Sequence, residues 1–165
     1  MPAVSNTTPL RYLIAIEQEE ILPKLFREIF VPGAVHEELT HPRSPQKVSQ
    51  YLQAPPTWYK IREAPEVHGK PFPMILDRGE QEAILLAEFL KADVLLIDDR
   101  IGRSVAQSRN LLISGTLGVL ESANVLGFVS DFPQILTKLR ASGFFLSQTL
   151  ERQLLLRHRV RLESK

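Results

Sequence analysis

Val94-Leu95-Leu96-Ile97-Asp98-Asp99-Arg100 is the stretch on which the fold of this chain turns. Four apolar residues without a break have the length of a strand buried on both faces, and two acids follow at once. Before it, residues 80–90 repeat apolar side chains at Ala83, Ile84, Ala87 and Leu90, the spacing of one helix face. After it, residues 102–108 are helical again and 111–114 give another short strand. This is a helix, strand, helix, strand series.

The alternation continues in both directions. Residues 3–5 form a short candidate strand, and 9–16 with 21–26 have helical spacing. Residues 29–31 are strand-like, and Pro32 sits where proline is favoured at a helix start, so 34–39 reads as that helix. Thr116 begins a helix through about Leu126, and 132–140 and 147–156 are helical in pattern. Parallel strands need a crossover helix between them, so the expected fold is α/β: a three-layer α/β/α arrangement with a central parallel sheet. In such sheets ligands bind beyond the carboxyl ends of the strands.

Composition bounds the rest. A length of 165 residues predicts a single domain over 1–165, with 44% hydrophobic and 24% charged residues, as in ordinary soluble proteins. Twenty Lys and Arg against nineteen Asp and Glu leave a formal charge of +1, so a polyanion would have to be held by a local patch. The absence of cysteine removes disulfide scaffolds, thiolate metal sites and cysteine nucleophiles together. No apolar run is long enough to span a bilayer, and the start lacks the features of a signal peptide, so no membrane partner is expected and the expected address is the cytoplasm. Seven of the twelve prolines fall between Pro42 and Pro73, which predicts a Pro-rich excursion at about 42–73, unable to carry a long helix or a central strand and the most mobile part of the chain. Residues 152–165 form a basic C-terminal tail with Arg152, Arg157, Arg159, Arg161 and Lys165.

Polar side chains recur at the predicted strand ends: Asn6 after the first, Asp98 and Asp99 after Ile97, and Thr116 after 111–114, while Glu38 and Glu80 lie on helices able to face the same crevice. Clustered carboxylates repel one another and are stable together in ionised form when a cation compensates them. Oxygen-only ligands point to Mg²⁺ or Mn²⁺, and the four histidines, His36, His41, His68 and His158, are scattered without zinc spacing. Such an ion suits phosphoryl chemistry, since it neutralises phosphate oxygens and lowers the pKa of a bound water. Each residue also has a purely structural use. Asp77 and Glu80 have the spacing of a capping box, Asp98 or Asp99 can cap the helix that follows, and Asn6, Thr7, Thr8 and Thr116 suit turns and caps. Glu82 lies about 200° round the helix from Glu80 and is expected to be solvated.

In order along the chain, Val4-Ser5-Asn6-Thr7-Thr8-Pro9-Leu10, Val31-Pro32 with Val35-His36-Glu37-Glu38-Leu39, Gly79-Glu80-Gln81-Glu82-Ala83-Ile84, Leu96-Ile97-Asp98-Asp99-Arg100 with Gly102-Arg103, and Gly115-Thr116-Leu117-Gly118-Val119-Leu120 resemble the PIN-domain ribonucleases, and among them the VapC-like toxins of bacterial toxin–antitoxin pairs. Residues 143–150 resemble the tail of an uncharacterised bacterial subgroup of that family. The resemblance implies a metal-dependent endoribonuclease and carries four metal positions onto Asn6, Glu38, Glu80 and Asp98, with Asp99 beside them. Glu80 is preferred to Glu82, and Asp98 to Asp99, by the helix register that places Ala87 where the family keeps a small residue. Glu38, Glu80 and Asp98 would be the catalytic acids, and Thr7, Thr8 and Thr116 the supporting hydroxyls.

Family nucleases have aspartate where this chain has Asn6, and an amide oxygen brings no charge, so weaker metal binding follows. The alternative reading is therefore a PIN-like module with weakened catalysis, acting by binding or regulation. Arg100 and Arg103, next to the acidic pair, are the expected RNA contacts, and a protein antitoxin and a homodimer are implied by the family alone. A nucleotide-binding or phospho-receiver domain fits less well, because no Gly-x-Gly-x-x-Gly or phosphate-loop motif occurs and no acidic pair follows the first strand.

Overall fold

The computed structural model describes residues 2–67 and 69–165, so His68 lies outside the described residues. Its strands are β1 (Pro2–Ser5), β2 (Glu28–Val31), β3 (Tyr59–Ile61), β4 (Val94–Leu96) and β5 (Ile113–Ser114). The helices are α1 (Thr7–Ala15), α2 (Ile21–Phe26), α3 (Gly33–Thr40), α4 (Gln46–Tyr51), α5 (Arg78–Leu90), α6 (Arg100–Ser108), α7 (Thr116–Val125), α8 (Phe132–Ala141) and α9 (Gln148–Glu163).

All five strands are parallel, in the order β3-β2-β1-β4-β5. Ala3 stands opposite both Ile29 and Val94, and Val4 opposite Leu95. Successive strand side chains point to opposite faces, and the core divides accordingly. Ala3, Ile29 and Leu96 pack with residues of α1, α7 and α8, such as Leu13, Leu120 and Leu136, whereas Val4, Leu95 and Ile97 pack with Ile84 and Leu86 of α5 and Ala106 of α6. These two packed faces give the three-layer α/β/α architecture its layers. Central β1 and β4 are apolar at their buried positions except Ser5, because helices cover both sides.

The chain leaves β1 toward β2 and β3, then returns through α5 to place β4 on the other flank of β1. The winding direction reverses between β1 and β4, and at that reversal the loops after the two strands diverge and open a crevice at their carboxyl ends. Asn6, Asp98 and Asp99 stand there.

Two segments differ in detail from the pattern reading. The Pro-rich stretch supplies α4 and the edge strand β3, both short, as its prolines require. Its later part is anchored: Arg109 pairs with Glu88 at 2.9 Å, donates to the Lys70 carbonyl, and lies 4.2 Å over the Phe72 ring. At the other end, α9 runs to Glu163, seven residues beyond the expected 156, so the basic tail is largely helix. Leu154 is buried, His158 meets Asn124 at 2.9 Å, and Glu121 of α7 holds Arg157 at 2.6 Å and Arg161 at 3.7 Å. Among the described residues no helix is long and apolar enough to cross a membrane.

The Glu121 pairings make the docking of α9 pH-dependent. Hydrogen bonds from Arg157, helped by the charges of Arg157 and Arg161, hold the Glu121 carboxyl below its ordinary 4.5. A carboxylate with a depressed folded pKa contributes stability that is present above its unfolded pKa and lost as pH falls through the folded value. These arginines are partly exposed, so about 0.2–1 kcal/mol is at stake. Glu121→Gln is expected to lower the melting temperature slightly at pH 7 and to leave it unchanged at pH 3, and an equal loss at both would assign Glu121 no role as an anion.

Candidate active site

At the crevice, the Asn6 N–H donates to the Leu96 carbonyl at 2.9 Å, which carries the β1–β4 ladder to the last residue before the loop. Asn6 occupies the N-cap of α1 with extended backbone, yet its side chain makes no cap bond. Instead its Oδ1 is buried without a hydrogen-bond partner in a residue only 4% exposed. A buried carbonyl oxygen left unpaired costs about 1–3 kcal/mol, so something outside the protein chain is the natural partner. Next to it, Thr7 Oγ1 donates to Glu38 Oε2 at 2.7 Å and brings α3 to the end of β1. Thr8 is half-buried and takes no part in that bond.

Glu80 starts α5 within a complete capping box: its N–H donates to Asp77 Oδ1 at 2.8 Å, and its Oε2 accepts from the Asp77 N–H at 3.1 Å. Burial, followed by the charges of Asp77, Asp99 and Glu38, pushes its carboxyl up to about 7, against the lowering effect of the Asp77 N–H. The same charges show that Glu38, Glu80 and Asp99 occupy one electrostatic neighbourhood. Gly79 is buried beside this cluster, where an added Cβ would lie 3.4 Å from Glu38 Oε2 and 3.5 Å from Asp77 Oδ1, ordinary contact distances. Glu82, expected to be solvated, is instead only 15% exposed at its side chain. It holds Arg78 at 2.7 Å and accepts from the Ala34 N–H at 3.3 Å, since its side of α5 faces the start of α3 rather than water.

The two adjacent aspartates have separate surroundings. Asp98 Oδ1 accepts from the Thr116 N–H at 2.9 Å and its Oδ2 from the Thr116 hydroxyl at 2.5 Å. Burial pushes the Asp98 carboxyl up, opposed by those two bonds and by the Arg103 guanidinium. Thr116 is accordingly not the cap of α7 but its first residue, with Gly115 at the cap and Asp98 satisfying the first amide from the loop after β4. Asp99 is exposed and caps α6 by accepting from the Gly102 N–H at 2.8 Å through Oδ2. Arg103 is turned inward and donates to the Ile97 carbonyl at 2.9 Å, whereas Arg100 is exposed.

A family model for the PIN domain matches residues 2–159. The chain belongs to the PIN-domain family. PIN domains are in general nucleases that bind RNA and use divalent metal ions, and the parallel three-layer fold of this PIN domain agrees with that membership. No curated protein matched the chain.

The donor set of this PIN domain is chemically suited to a hard divalent cation: an orphaned amide oxygen and mutually repelling carboxylates, with no sulfur and no nitrogen. Among the described residues, however, no three His, Cys, Asp or Glu side chains gather closely enough to enclose an ion. The hydrogen bonds explain this, since Glu80 is folded back onto the start of its own helix and both Asp98 oxygens are bound to Thr116. Residues that pattern reading did not single out also reach this region. Arg11, Arg43 and Arg78 line a cavity together with Thr7 and Glu38. The available signal was the spacing of Thr7 and Arg11, four apart and hence on one face of α1.

Proposed function

We propose that this PIN domain is a Mg²⁺- or Mn²⁺-dependent endoribonuclease of the cytoplasm, and the toxin of a toxin–antitoxin pair. The observation that carries the nuclease reading is the buried, unpartnered Oδ1 of Asn6 at the reversal point of the sheet, next to the Thr7–Glu38 bond and near Glu80, whose carboxyl burial and the neighbouring acids push up to about 7. Asn6, Glu38, Glu80 and Asp99 would hold the ion. When bound, the ion supplies charge neutralisation at the phosphate and a water of lowered pKa. Thr7 orients Glu38 through its hydroxyl. Asp98 is better placed to position than to ligate, because both its oxygens accept from Thr116. Arg100 is free at the mouth to meet a phosphate.

The test is cleavage of RNA in Mn²⁺ by the native chain and by Glu38→Gln and Asp99→Asn. Loss of either acid is expected to slow cleavage about a hundredfold or more, the scale on which removal of one group that stabilises developing charge acts. Cleavage untouched in both variants would end the nuclease assignment. The toxin reading, with its homodimer and masking antitoxin, is supported by the ordered likeness of the chain to VapC-like toxins. Expression in a bacterial host is expected to arrest growth, and Glu38→Gln to relieve the arrest.

Asn6 also favours a second reading, a binding or regulatory PIN module with weakened catalysis, because it leaves one oxygen ligand without charge. RNA bound without cleavage at any Mn²⁺ concentration would select it.

A further inference from the structure

Between α1, α3, the α3–α4 loop and the start of α5 lies a cavity of about 570 Å³. Its lining includes Thr7 and Glu38, which belong to the candidate site, and three arginines, Arg11, Arg43 and Arg78. The volume is that of a pocket for one small molecule or one unpaired nucleotide. Arg78 is already engaged by Glu82 at 2.7 Å and Glu37 at 3.7 Å. Arg11 and Arg43 are exposed, and among the described residues no acid pairs with either. Arg11 lies one helical turn beyond Thr7, about 6 Å along α1 from the residue that holds Glu38. Two guanidinium groups without an acid partner therefore flank the approach to the acids, that of Arg11 lying 5.4 Å from the centre of the Tyr12 ring. Glu37 and Asp77, also in the lining, offer acceptors that repel phosphate but suit hydroxyl and amino groups.

We propose that this cavity seats the nucleotide adjacent to the scissile phosphate of single-stranded RNA, with Arg11 and Arg43 on its flanking phosphates and the acidic lining on its 2′-hydroxyl or base amino groups. The assignment rests on the nuclease reading and adds the path of the strand to it. That path runs over α1 and the α3–α4 loop, rather than along the basic face of α9.

The experiment is fluorescence anisotropy of a labelled single-stranded RNA with the full chain, in Ca²⁺ to keep the strand whole, across a series of salt concentrations. For single strands each phosphate contact contributes about 0.7 to the slope of log affinity against log salt. Arg11→Gln with Arg43→Gln is expected to weaken binding and to lower that slope by roughly 1.4. Arg159→Gln, at an exposed position on α9, is expected to change neither. A native slope in the Arg11/Arg43 double variant, or no RNA binding by the native chain, overturns the proposal. The two readings fail separately. If Glu38→Gln abolishes cleavage while the double variant keeps its slope, the strand path falls and the nuclease stands; if the slope drops as expected in a chain that never cleaves, the path stands and catalysis falls.

Discussion

Asn6→Asp is expected to bind Mg²⁺ or Mn²⁺ at least about tenfold more tightly and to raise RNA cleavage with it. The two side chains have the same shape, so the substitution changes charge and little else at a position 4% exposed. A unit charge about 4 Å from its partner is worth up to about 4 kcal/mol at the effective dielectric of a protein site. Part of that gain offsets the cost of placing another anion near Glu38 and Asp99 in the metal-free protein, where Glu80 already titrates near 7. A net of about 1.4 kcal/mol, or tenfold, remains as a conservative figure. A buried, unpaired carboxylate also destabilises the fold when no ion is present. The variant should therefore melt lower than the native chain in EDTA and gain more from added Mn²⁺. Calorimetry giving equal metal affinity in both forms would remove the ligand role of Asn6, and lower stability in EDTA with no extra gain from Mn²⁺ would make its buried oxygen a packing feature alone.

How far this site could be read from the sequence depended on the distance over which each contact is made. The run 94–97 and the helix periodicity of 80–90 are local signals, and β4 and α5 form there. The Asp77–Glu80 capping box is likewise contained within four residues, and both of its bonds are present. The division of labour between Asp98 and Asp99 was not legible, because it is decided by Thr116, eighteen positions away, whose amide and hydroxyl both claim Asp98. Glu82 was misjudged for the same reason: helix geometry separates it from Glu80, but only the packing of α3 against α5 reveals that its side is covered. Short α4 was hidden by the prolines around it, and the extension of α9 by a sequence in which Leu154 is the one fully buried side chain. The outer half of α9 is held by polar contacts with α7, while its apolar contribution to the core is confined to Leu150, Leu154 and Leu155.

Gly115→Ala is expected to destabilise the protein by about 1–3 kcal/mol, the usual cost of forcing a methyl into a filled space. The backbone at Gly115 is extended, with φ −104° and ψ −177°, a conformation any residue adopts, so no strain of the main chain is involved. What an added Cβ meets is the site itself, Asp98 Oδ1 at 2.6 Å and Arg103 Nη1 at 3.0 Å. Neither can yield easily, since Asp98 is fastened to Thr116 by two bonds and Arg103 to the Ile97 carbonyl. For a chain of this length a loss of about 2 kcal/mol corresponds to roughly 4–8 °C in melting temperature. Gly118→Ala supplies the comparison. Its Cβ would fall 2.6 Å from Ser114 Oγ, an equally short approach, but a hydroxyl can rotate aside and alanine is the better helix former by about 1 kcal/mol. That variant should be neutral or slightly more stable. If the cost at Gly115 comes from crowding Asp98, it should shrink in the presence of Asp98→Ala, with a coupling of about 0.5–3 kcal/mol in a double-mutant cycle. Additive costs, or equal costs at Gly115 and Gly118, would mean that Asp98 is not the wall against which Gly115 packs.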